Sequence, residues 1–364
     1  MKVVALCGYP VEAAATRLRV VQFTEYLSGK GIELSVRPFL DGECYRHLYD
    51  RAAWRRTAVG VARSIGRRLL NDLGTARKAD VVLVQREAML LGPPIVEWLV
   101  SQRAPLVLDL DDATYLSYAS PTYGSVARLL KWPSKTDWVI RHAAMVTCGS
   151  QVVADHVTEL GTAARLIPTV VDTSRFRPGT RAGVGDLVTV GWIGSHSTYP
   201  YLADLFGVLR DVAAAVPFRL LVIGGGRQVP EIRGVTVEQR DWTLEGEVGD
   251  FQSLDIGLYP LRADGWAQGK SGLKAIQYMS VGVPFVATPV GATADLGLLG
   301  ATHLLARSRD EWYEALRLLL EDHQLRGRMG TAGREHALEH YTIANAGRVL
   351  EQALRDSCSP ARGP

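Results

Sequence analysis

Strand-length apolar runs alternate with helix-length segments along the chain, and this alternation limits the choice of fold more than any other feature. Strands that are apolar throughout are buried on both faces, and such strands are parallel, with helices on both sides of the sheet. The pattern predicts a doubly wound α/β domain, with a helix over 17–31 after the first strand. The strand-like runs of the first half are VVALC (3–7), IELSVRPF (32–39), VVLVQ (81–85), PLVLDLDD (105–112) and AAMVTCGS (143–150).

A second series of the same kind follows a segment rich in Gly, Pro and polar residues at 168–186. A chain of 364 residues is also about twice as long as a typical single domain, which agrees with two domains. The second series contains VTVGWIG (188–194), FRLLVIGGG (218–226), DIGLYPL (255–261) and VPFVATPVG (283–291). We therefore expect an N-terminal domain at 1–170, a linker at 171–186, a C-terminal domain at 187–340, a helix at 341–356 that could pack back on the N-terminal domain, and a tail at 357–364.

The composition is that of a globular protein, with 47% apolar and 22% charged residues. No apolar run approaches the roughly 18 residues of a membrane-spanning helix, and VVALC is too short for the core of a signal peptide. The four cysteines (Cys7, Cys44, Cys148 and Cys358) form no CxxC pair and have no histidine at zinc spacing. We expect a reduced, cytoplasmic protein without a metal site or cofactor.

Positive charge is concentrated at residues 46–78, which hold nine arginines and lysines against two aspartates, a net charge of +7 in a chain that totals +3. Apolar side chains are interleaved with these cations, as in one or two basic amphipathic helices. Such a surface could lie on the inner face of an anionic membrane or bind a phosphorylated acceptor, or it could be a solvated helix that covers the sheet. Basic and aromatic residues do not interleave elsewhere, so we expect no nucleic-acid partner.

The segment at 255–291 contains the strongest candidate for a phosphate site. A strand leads into a loop with several glycines, and a short helix is predicted at 273–281. The unpaired amides near Gly272 and Leu273, together with the helix dipole, favour a bound phosphate. The alternative is an ordinary strand–turn–helix unit with two exposed lysines.

Three polar side chains would support this phosphate site. Lys270 and Lys274 are four residues apart, so we expect them on nearly the same face and close to one diphosphate. Gln277 lies about one turn further on and is placed to bind a ribose hydroxyl.

The same segment resembles family 4 of the glycosyltransferases. That family carries a Glu, seven residues and a second Glu, followed by an Ala-Met-Ala-x-Gly-x-Pro-Val pattern, to which QYMSVGVPFVATPVG is similar. Here Gly269 and Gln277 replace the acidic pair, and GKSGLKAIQYM resembles a subset with KxxxK followed by Gln or Glu. The resemblance covers residues 1–345 and is strongest at 143–300. It implies a GT-B fold, in which two Rossmann-like, doubly wound parallel-sheet domains face a cleft.

The resemblance also implies donor-binding residues elsewhere in the second half. GWIGSHSTYPYL (191–202) is similar to a strand followed by a phosphate-facing loop, where backbone N–H and hydroxyl groups would meet the diphosphate. VIGGG and the following VEQRDW resemble the region that binds the nucleobase. The candidates are Gly194, Ser195 and His196 for the diphosphate, and Arg240, Asp241 and Trp242 for the base. Trp242 could equally be a core residue.

In the first half, the loop after the first strand begins at Gly8, where the lack of a side chain lets a donor approach the backbone. Arg19 or Arg17 could then bind phosphate or an acidic acceptor, or be an ordinary helix arginine.

Asp111 and Asp112 follow a strand in DLDDATYLSYASPTYG (109–124), which in family terms is the loop that carries catalytic residues. They could bind the acceptor hydroxyl or stabilise positive charge at the anomeric carbon, or one could cap a helix. A DxDxT motif of haloacid-dehalogenase-type phosphatases would need Thr at position 113, where this chain has Ala. The metal-binding DxD motif belongs to GT-A transferases, and the two Rossmann-like halves of this chain argue against that fold.

Other nucleotide and hydrolase motifs are missing: no GxGxxG follows the first strand, GGG at 224–226 lacks a Walker lysine, and there is no GxSxG. We therefore expect glycosyl transfer from a nucleoside diphosphate sugar to an acceptor that is a small molecule, a glycan or a lipid-linked compound. The resemblance implies retention of configuration and no obligatory metal. The alternatives are a donor-binding protein without activity and an enzyme that couples a cyclitol to an amine on the same fold.

Overall fold

The structure is a computed structural model, and it describes residues 1–48, 50–116, 132, 134–179, 187–226 and 228–358. Parts of three predicted segments lie outside these residues: 117–124 of the aspartate loop, 180–186 of the linker and 359–364 of the tail. The chain divides into two compact units. The first contains Met1–Val170, Gly269–Ser271 and Ile343–Pro364, and the second contains Val171–Gln268 and Gly272–Thr342.

A parallel sheet forms the centre of the first unit, with the strand order β2-β1-β3-β4-β5-β6. Strands β3 and β4 are buried at every residue and mostly apolar, which is the reason for helices on both faces. The five strands predicted in this half are present. The sheet consists of β1 Lys2–Cys7, β2 Glu33–Pro38, β3 Val81–Gln85, β4 Leu106–Leu110, β5 Met145–Cys148 and the additional edge strand β6 Ala164–Leu166.

The helix predicted over 17–31 is divided into shorter pieces. Val20 leaves the helical region of backbone space (φ −130°, ψ −62°), so α1 ends there and a 3₁₀ turn precedes α2. The helices of this part of the chain are α1 Ala14–Arg19, α2 Thr24–Ser28, α3 Gly42–His47, α4 Trp54–Arg67, α5 Leu73–Ala76, α6 Ile95–Ser101, α7 Lys135–His142 and α8 Gln151–Glu159.

The basic segment forms α3, α4 and α5, with a π-helical turn at Arg68–Asp72 between the last two. Two of its arginines point inward and bind backbone carbonyls. Arg68 is fully buried and donates to the carbonyl oxygens of Cys7 and Arg37, each at 3.0 Å, while Arg67 donates to those of Pro38 and Phe39. Burial lowers the pKa of Arg68 to about 10. These two arginines therefore attach the carboxyl ends of β1 and β2 to the end of α4 and to the π-helical turn that follows it.

A second parallel sheet forms the centre of the other unit, with the order β12-β11-β10-β7-β8-β9. It contains β7 Thr189–Ile193, β8 Arg219–Ile223, β9 Thr236–Arg240, β10 Ile256–Tyr259, β11 Phe285–Ala287 and β12 Leu304–Leu305. Its helices are α9 Tyr199–Ala203, α10 Phe206–Ala215, α11 Glu247–Gln252, α12 Gly265–Gln268, α13 Leu273–Ser280, α14 Arg309–Glu321 and α15 His323–His340.

The last helix, α16 (Ile343–Cys358), belongs to the first unit and packs against α2 and strands β3, β4 and β5. Its apolar side, which includes Leu350 and Leu354, is buried there. Among the residues that the structure describes, no helix is both long and apolar enough to cross a membrane.

His303 is a buried histidine within the second unit. Its ring is stacked on Phe285 at 4.9 Å between ring centres, and Thr302 Oγ1 lies 2.9 Å from Nδ1. Burial, with a smaller contribution from His336, lowers the pKa of His303 to about 4. Because the unfolded chain binds a proton on this ring at higher pH than the folded one does, His303 opposes folding as the pH falls.

We predict that replacing His303 with Gln reduces the acid sensitivity of the protein. Between pH 6.5 and pH 4 the native protein should lose up to about 3 kcal/mol of unfolding free energy that the variant does not lose. Urea unfolding at a series of pH values measures this difference. His323→Gln, at an exposed position, should keep the native dependence, and an unchanged dependence in His303→Gln would contradict the assignment.

Candidate functional site

In the second sheet, the order in which successive strands are added reverses between β7 and β10. The chain passes from β7 to β8 on one side, whereas β10 lies on the other side and continues to β11. In open parallel sheets, ligands bind beyond the carboxyl ends of the strands at such a reversal point. The residues predicted to bind the donor follow the carboxyl ends of β7, β9 and β10, so this edge is the candidate site of the second unit.

The loop after β7 is held in place by its own backbone. Gly194 N–H donates to the carbonyl of Ile223 at 3.0 Å, and Ser195 N–H donates to Thr198 Oγ1 at 3.1 Å. Ser195 Oγ also lies 2.9 Å from Ser197 Oγ. Protein acceptors thus occupy both amides, and the predicted diphosphate contacts of the Ser195 hydroxyl and of His196 stay a prediction. His196 lies in the same loop and is half-buried. It is close to Gly226, where an added Cβ would be 3.3 Å from the His196 Cβ.

A cavity of about 370 Å³ lies at the carboxyl ends of β8 and β9, in the region predicted to bind the nucleobase. Its walls include Gly225, Gly226 and Asp241. Arg240 also lines it, and its guanidinium is paired with Glu238 at 2.6 Å and with Asp250 at 3.7 Å. Trp242 follows as a half-buried residue rather than a core residue. The geometry thus groups Arg240 and Asp241 around a polar cavity.

The amino end of α13 has the properties expected of an anion site. Gly272 precedes it with φ +71°, a left-handed conformation that glycine adopts readily, and a Cβ there would collide with Leu296. Within the described chain, no side chain caps this helix. The first turn includes Leu273 and Lys274, so backbone N–H groups and one ammonium group lie at the same helix end.

Lys270 does not share a helix face with Lys274. Residues 270–272 have no helical structure and α13 begins only at Leu273, so the i,i+4 relation expected from the spacing does not exist. Lys270 also belongs to the three residues that group with the first unit. The left-handed turn at Gly272 explains the difference, because it changes the chain direction immediately before the helix.

Gln277 is fully buried, and both ends of its amide are occupied. Its Oε1 accepts from Lys274 Nζ at 3.0 Å, and its Nε2 donates to Glu247 Oε1 at 3.3 Å. Lys274 Nζ also lies 5.1 Å from the centre of the Phe251 ring. The expected contact between Gln277 and a ribose hydroxyl is corrected accordingly, because the side chain lies beneath the surface.

The first sheet has its own reversal point between β1 and β3. Gly8 follows β1 and lies close to the chain after β3, since a Cβ there would be 3.1 Å from Leu90 Cδ2. Arg86 follows β3 directly and adopts φ +61°, which is unusual for a residue with a side chain. Strained residues of this kind are concentrated at functional sites, and Arg86 is one that the sequence reasoning did not identify.

Arg86 binds both candidate catalytic aspartates. It pairs with Asp111 at 2.5 Å through Nε and with Asp112 at 2.7 Å through Nη2. Burial alone would raise the pKa of Asp111, but the charge and hydrogen bonds of Arg86 outweigh burial and lower that pKa. Asp111 is therefore ionised at neutral pH, and both carboxylates bind Arg86.

Arg19 has a structural environment. Its guanidinium is 3% exposed and binds Asp109 through two hydrogen bonds of 2.6 and 3.1 Å, while Nη1 donates to the carbonyl of Ile167 at 2.5 Å. Burial would lower the pKa of Arg19, but Asp109 raises it overall. The expected donor contact of Arg19 is corrected, because this bidentate pair joins α1 to β4. Arg17 donates to the carbonyl of Glu12 at 3.2 Å.

Gly269, at the first position of the missing acidic pair, is in a place where a side chain does not fit. A Cβ built on it would collide with Ala113, which follows the aspartates. Ser150 Oγ donates to the Gly269 carbonyl at 3.1 Å, which holds the backbone close. The glycine is thus required by the packing of the first unit.

Residues 186–322 match the protein family described as "Glycosyl transferases group 1". The structure superimposes on that of Alr3699/HepE from Anabaena in complex with UDP with a TM-score of 0.70 and 16% sequence identity, covering 98% of this chain and 100% of that one. This is the GT-B fold.

Two further comparisons agree with the fold. The sucrose-phosphate synthase of Thermosynechococcus elongatus gives a TM-score of 0.66 with 15% identity over 98% of each chain. HepE has also been solved with UDP-glucose, at a TM-score of 0.66 and 14% identity, covering 97% of this chain and 99% of that one.

By sequence, a D-inositol 3-phosphate glycosyltransferase of Corynebacterium aurimucosum is 33% identical over 118 residues, which are 31% of this chain and 26% of that protein. The match with this chain thus spans about a quarter of the curated relative.

We predict that Arg19→Ala lowers the unfolding free energy by about 3–5 kcal/mol, because it leaves the Asp109 carboxylate buried without its partner. Denaturant unfolding measures the loss. Arg103→Ala, at an exposed position, should change stability by less than about 0.5 kcal/mol. If Arg19→Ala were as stable as Arg103→Ala, the structural role of Arg19 would be wrong.

Proposed function

We propose that this protein transfers a glycosyl group from a nucleoside diphosphate sugar to an acceptor hydroxyl. The GT-B fold and the family match at 186–322 support this activity. The crystal structures of HepE with UDP and with UDP-glucose support a nucleotide sugar as the donor. The proposal includes retention of anomeric configuration and no obligatory metal, in line with the resemblance to family 4.

The observation that carries the proposal is the amino end of α13. Glycosyl transfer leaves a nucleoside diphosphate with negative charge on the oxygen that departs, and fixed N–H dipoles and cations lower the energy of that charge. Gly272 and Leu273 supply amides, and Lys274 supplies an ammonium group in the first helical turn. We assign the diphosphate to this helix end, at the reversal point of the second sheet.

The nucleobase and ribose are assigned to the polar cavity lined by Gly225, Gly226, Arg240 and Asp241. It follows the carboxyl ends of β8 and β9, on the same edge of the sheet as α13. Backbone and side-chain polar groups at the wall could read the edge of a base by hydrogen bonding.

In the first unit we assign the acceptor to Arg86, Asp111 and Asp112. Asp112 is the more exposed of the two carboxylates, at 18% of its side chain against 10% for Asp111. Because Arg86 binds both, Asp112 can accept a hydrogen bond from an acceptor hydroxyl while Asp111 fixes the guanidinium. The acceptor is a small molecule, a glycan or a lipid-linked compound, and D-inositol 3-phosphate, named for the corynebacterial relative, is the first to test.

The basic segment is proposed to contact anionic membrane lipid. Its helix α4 begins at Trp54, which is 57% exposed and is followed by the exposed Arg55 and Arg56. Leu70, in the π-helical turn, is 81% exposed. Exposed aromatic and aliphatic groups next to cations are the composition of interfacial helices.

We predict that Lys274→Ala raises the donor KM and the dissociation constant for UDP by about 10- to 100-fold and lowers kcat, because a charge-assisted hydrogen bond to the diphosphate is lost. Calorimetric titration with UDP and release of UDP from UDP-glucose in the presence of acceptor measure these changes. Lys30→Ala, on the surface of the first unit, serves as the control. Native UDP affinity in Lys274→Ala would remove the proposed diphosphate site.

We also predict that the protein floats with vesicles containing phosphatidylglycerol and not with vesicles of phosphatidylcholine alone. Changing Arg55 and Arg56 together to Glu should abolish flotation, because the sign of the surface charge is reversed. Equal flotation of the native protein with both vesicle types, or none with either, would end the membrane proposal and leave the transferase proposal unaffected.

A further inference from the structure

We infer that Gln277 and Glu247 are positioning residues that hold the Lys274 ammonium at the diphosphate site, an inference that rests on the proposed function. The three side chains form one chain of hydrogen bonds, from Lys274 Nζ to Gln277 Oε1 at 3.0 Å and from Gln277 Nε2 to Glu247 Oε1 at 3.3 Å. Neither Gln277 nor Glu247 needs to touch the donor in this arrangement.

The charges at the two ends fix the orientation of the Gln277 amide. Its oxygen faces an ammonium group, which only donates, and its nitrogen faces a carboxylate, which only accepts. Rotating the amide by half a turn would bring two donors together at one end and two acceptors at the other. The orientation of the amide therefore determines where its oxygen, and with it the ammonium group, is held.

Burial makes this chain of hydrogen bonds obligatory. Gln277 is fully buried and Glu247 is 3% exposed, so an amide or carboxylate without a partner would be costly. The Gln277 side chain has no exposed surface, so a ribose hydroxyl does not reach its amide in this arrangement. The side chain thus acts through Lys274 and not directly on the ligand.

Helix α11 supplies two contacts to the same site. Glu247 and Phe251 are four residues apart, so both lie on one face of that helix. The Phe251 ring is buried between Phe176 and Tyr278, and it lies beneath the Lys274 ammonium at 5.1 Å. The Phe251 ring contacts the ammonium group directly, whereas the Glu247 carboxylate acts on it through the Gln277 amide.

The same arrangement explains why position 277 is Gln where the resembled family has Glu. A carboxylate there would lie about as close to Glu247 as the amide does now, and two buried carboxylates at that distance repel unless they share a proton. The amide avoids this repulsion, and because it bonds to both side chains, it fixes Lys274 relative to Glu247. Gln277 and Glu247 are therefore complementary, and an amide at position 277 keeps the contact with Lys274.

The experiment compares Gln277→Glu, Glu247→Gln and the double exchange Gln277→Glu with Glu247→Gln, with UDP and uridine as calorimetric probes. Gln277→Glu should weaken UDP binding by about tenfold, and more at pH 8.5 than at pH 6, because the second carboxylate competes for the ammonium group once the shared proton is lost. Uridine, which has no phosphate, should bind with native affinity.

The double exchange should return UDP affinity to within about threefold of native, because one carboxylate and one amide are present again. Glu247→Gln alone should weaken UDP binding by about three- to tenfold, because the Gln277 amide then donates to a neutral acceptor instead of a carboxylate. Gln324→Glu, at an exposed position, controls for an added charge. Melting temperatures identify a variant that does not fold, and Glu247→Gln, nearly the same shape, then carries the test.

Two results would overturn the inference: native UDP affinity and pH dependence in Gln277→Glu and Glu247→Gln, or equal weakening of UDP and uridine. A failure of the inference is distinguishable from a failure of the proposed function. Weak UDP binding in Lys274→Ala together with native binding in both of these variants removes only the positioning role. Native binding in Lys274→Ala removes the diphosphate site itself.

Discussion

The parallel arrangement of the strands is the constraint on which the candidate sites depend. In each unit all strand pairs are parallel, so every strand ends at the same edge of its sheet and the loops that follow are neighbours. The reversal of strand order, between β1 and β3 in one unit and between β7 and β10 in the other, leaves room there. Arg86, Asp111 and α13 all follow carboxyl ends at these edges, although they are far apart in sequence.

Charge inside the protein has two separate uses. Arg19 and Arg68 are buried and bind a carboxylate or backbone carbonyls, which joins helices to the ends of strands. Arg86 and Lys274 are only partly buried, and each lies at a reversal point with a polar group that fixes its position. The fully enclosed cations stabilise the fold, whereas at the open edges Arg86 fixes two carboxylates and Lys274 is proposed to bind the diphosphate.

Much of the fold could be predicted from sequence, because a doubly buried strand has an unmistakable apolar run. The predicted runs at 81–85 and 188–194 contain β3 (Val81–Gln85) and β7 (Thr189–Ile193) almost residue for residue. Edge strands were missed: β9 (TVEQR) is half-exposed and polar, and β12 has two residues. For the site, the helix beginning at Leu273 was predicted, but the pairs formed between polar side chains were not. Nothing in the spacing shows that Arg19 finds Asp109, or that Gln277 finds Glu247, since these partners are 90 and 30 residues apart.

The central claim is that the amino end of α13 holds the diphosphate of the donor, and a crystal structure with UDP tests it most directly. The account predicts phosphate oxygens within about 3.2 Å of the amides of Gly272 or Leu273 and of Lys274 Nζ. It also predicts that the uracil lies in the cavity beside Arg240. Phosphates bound away from α13, with Lys274 still bound to Gln277, would contradict it.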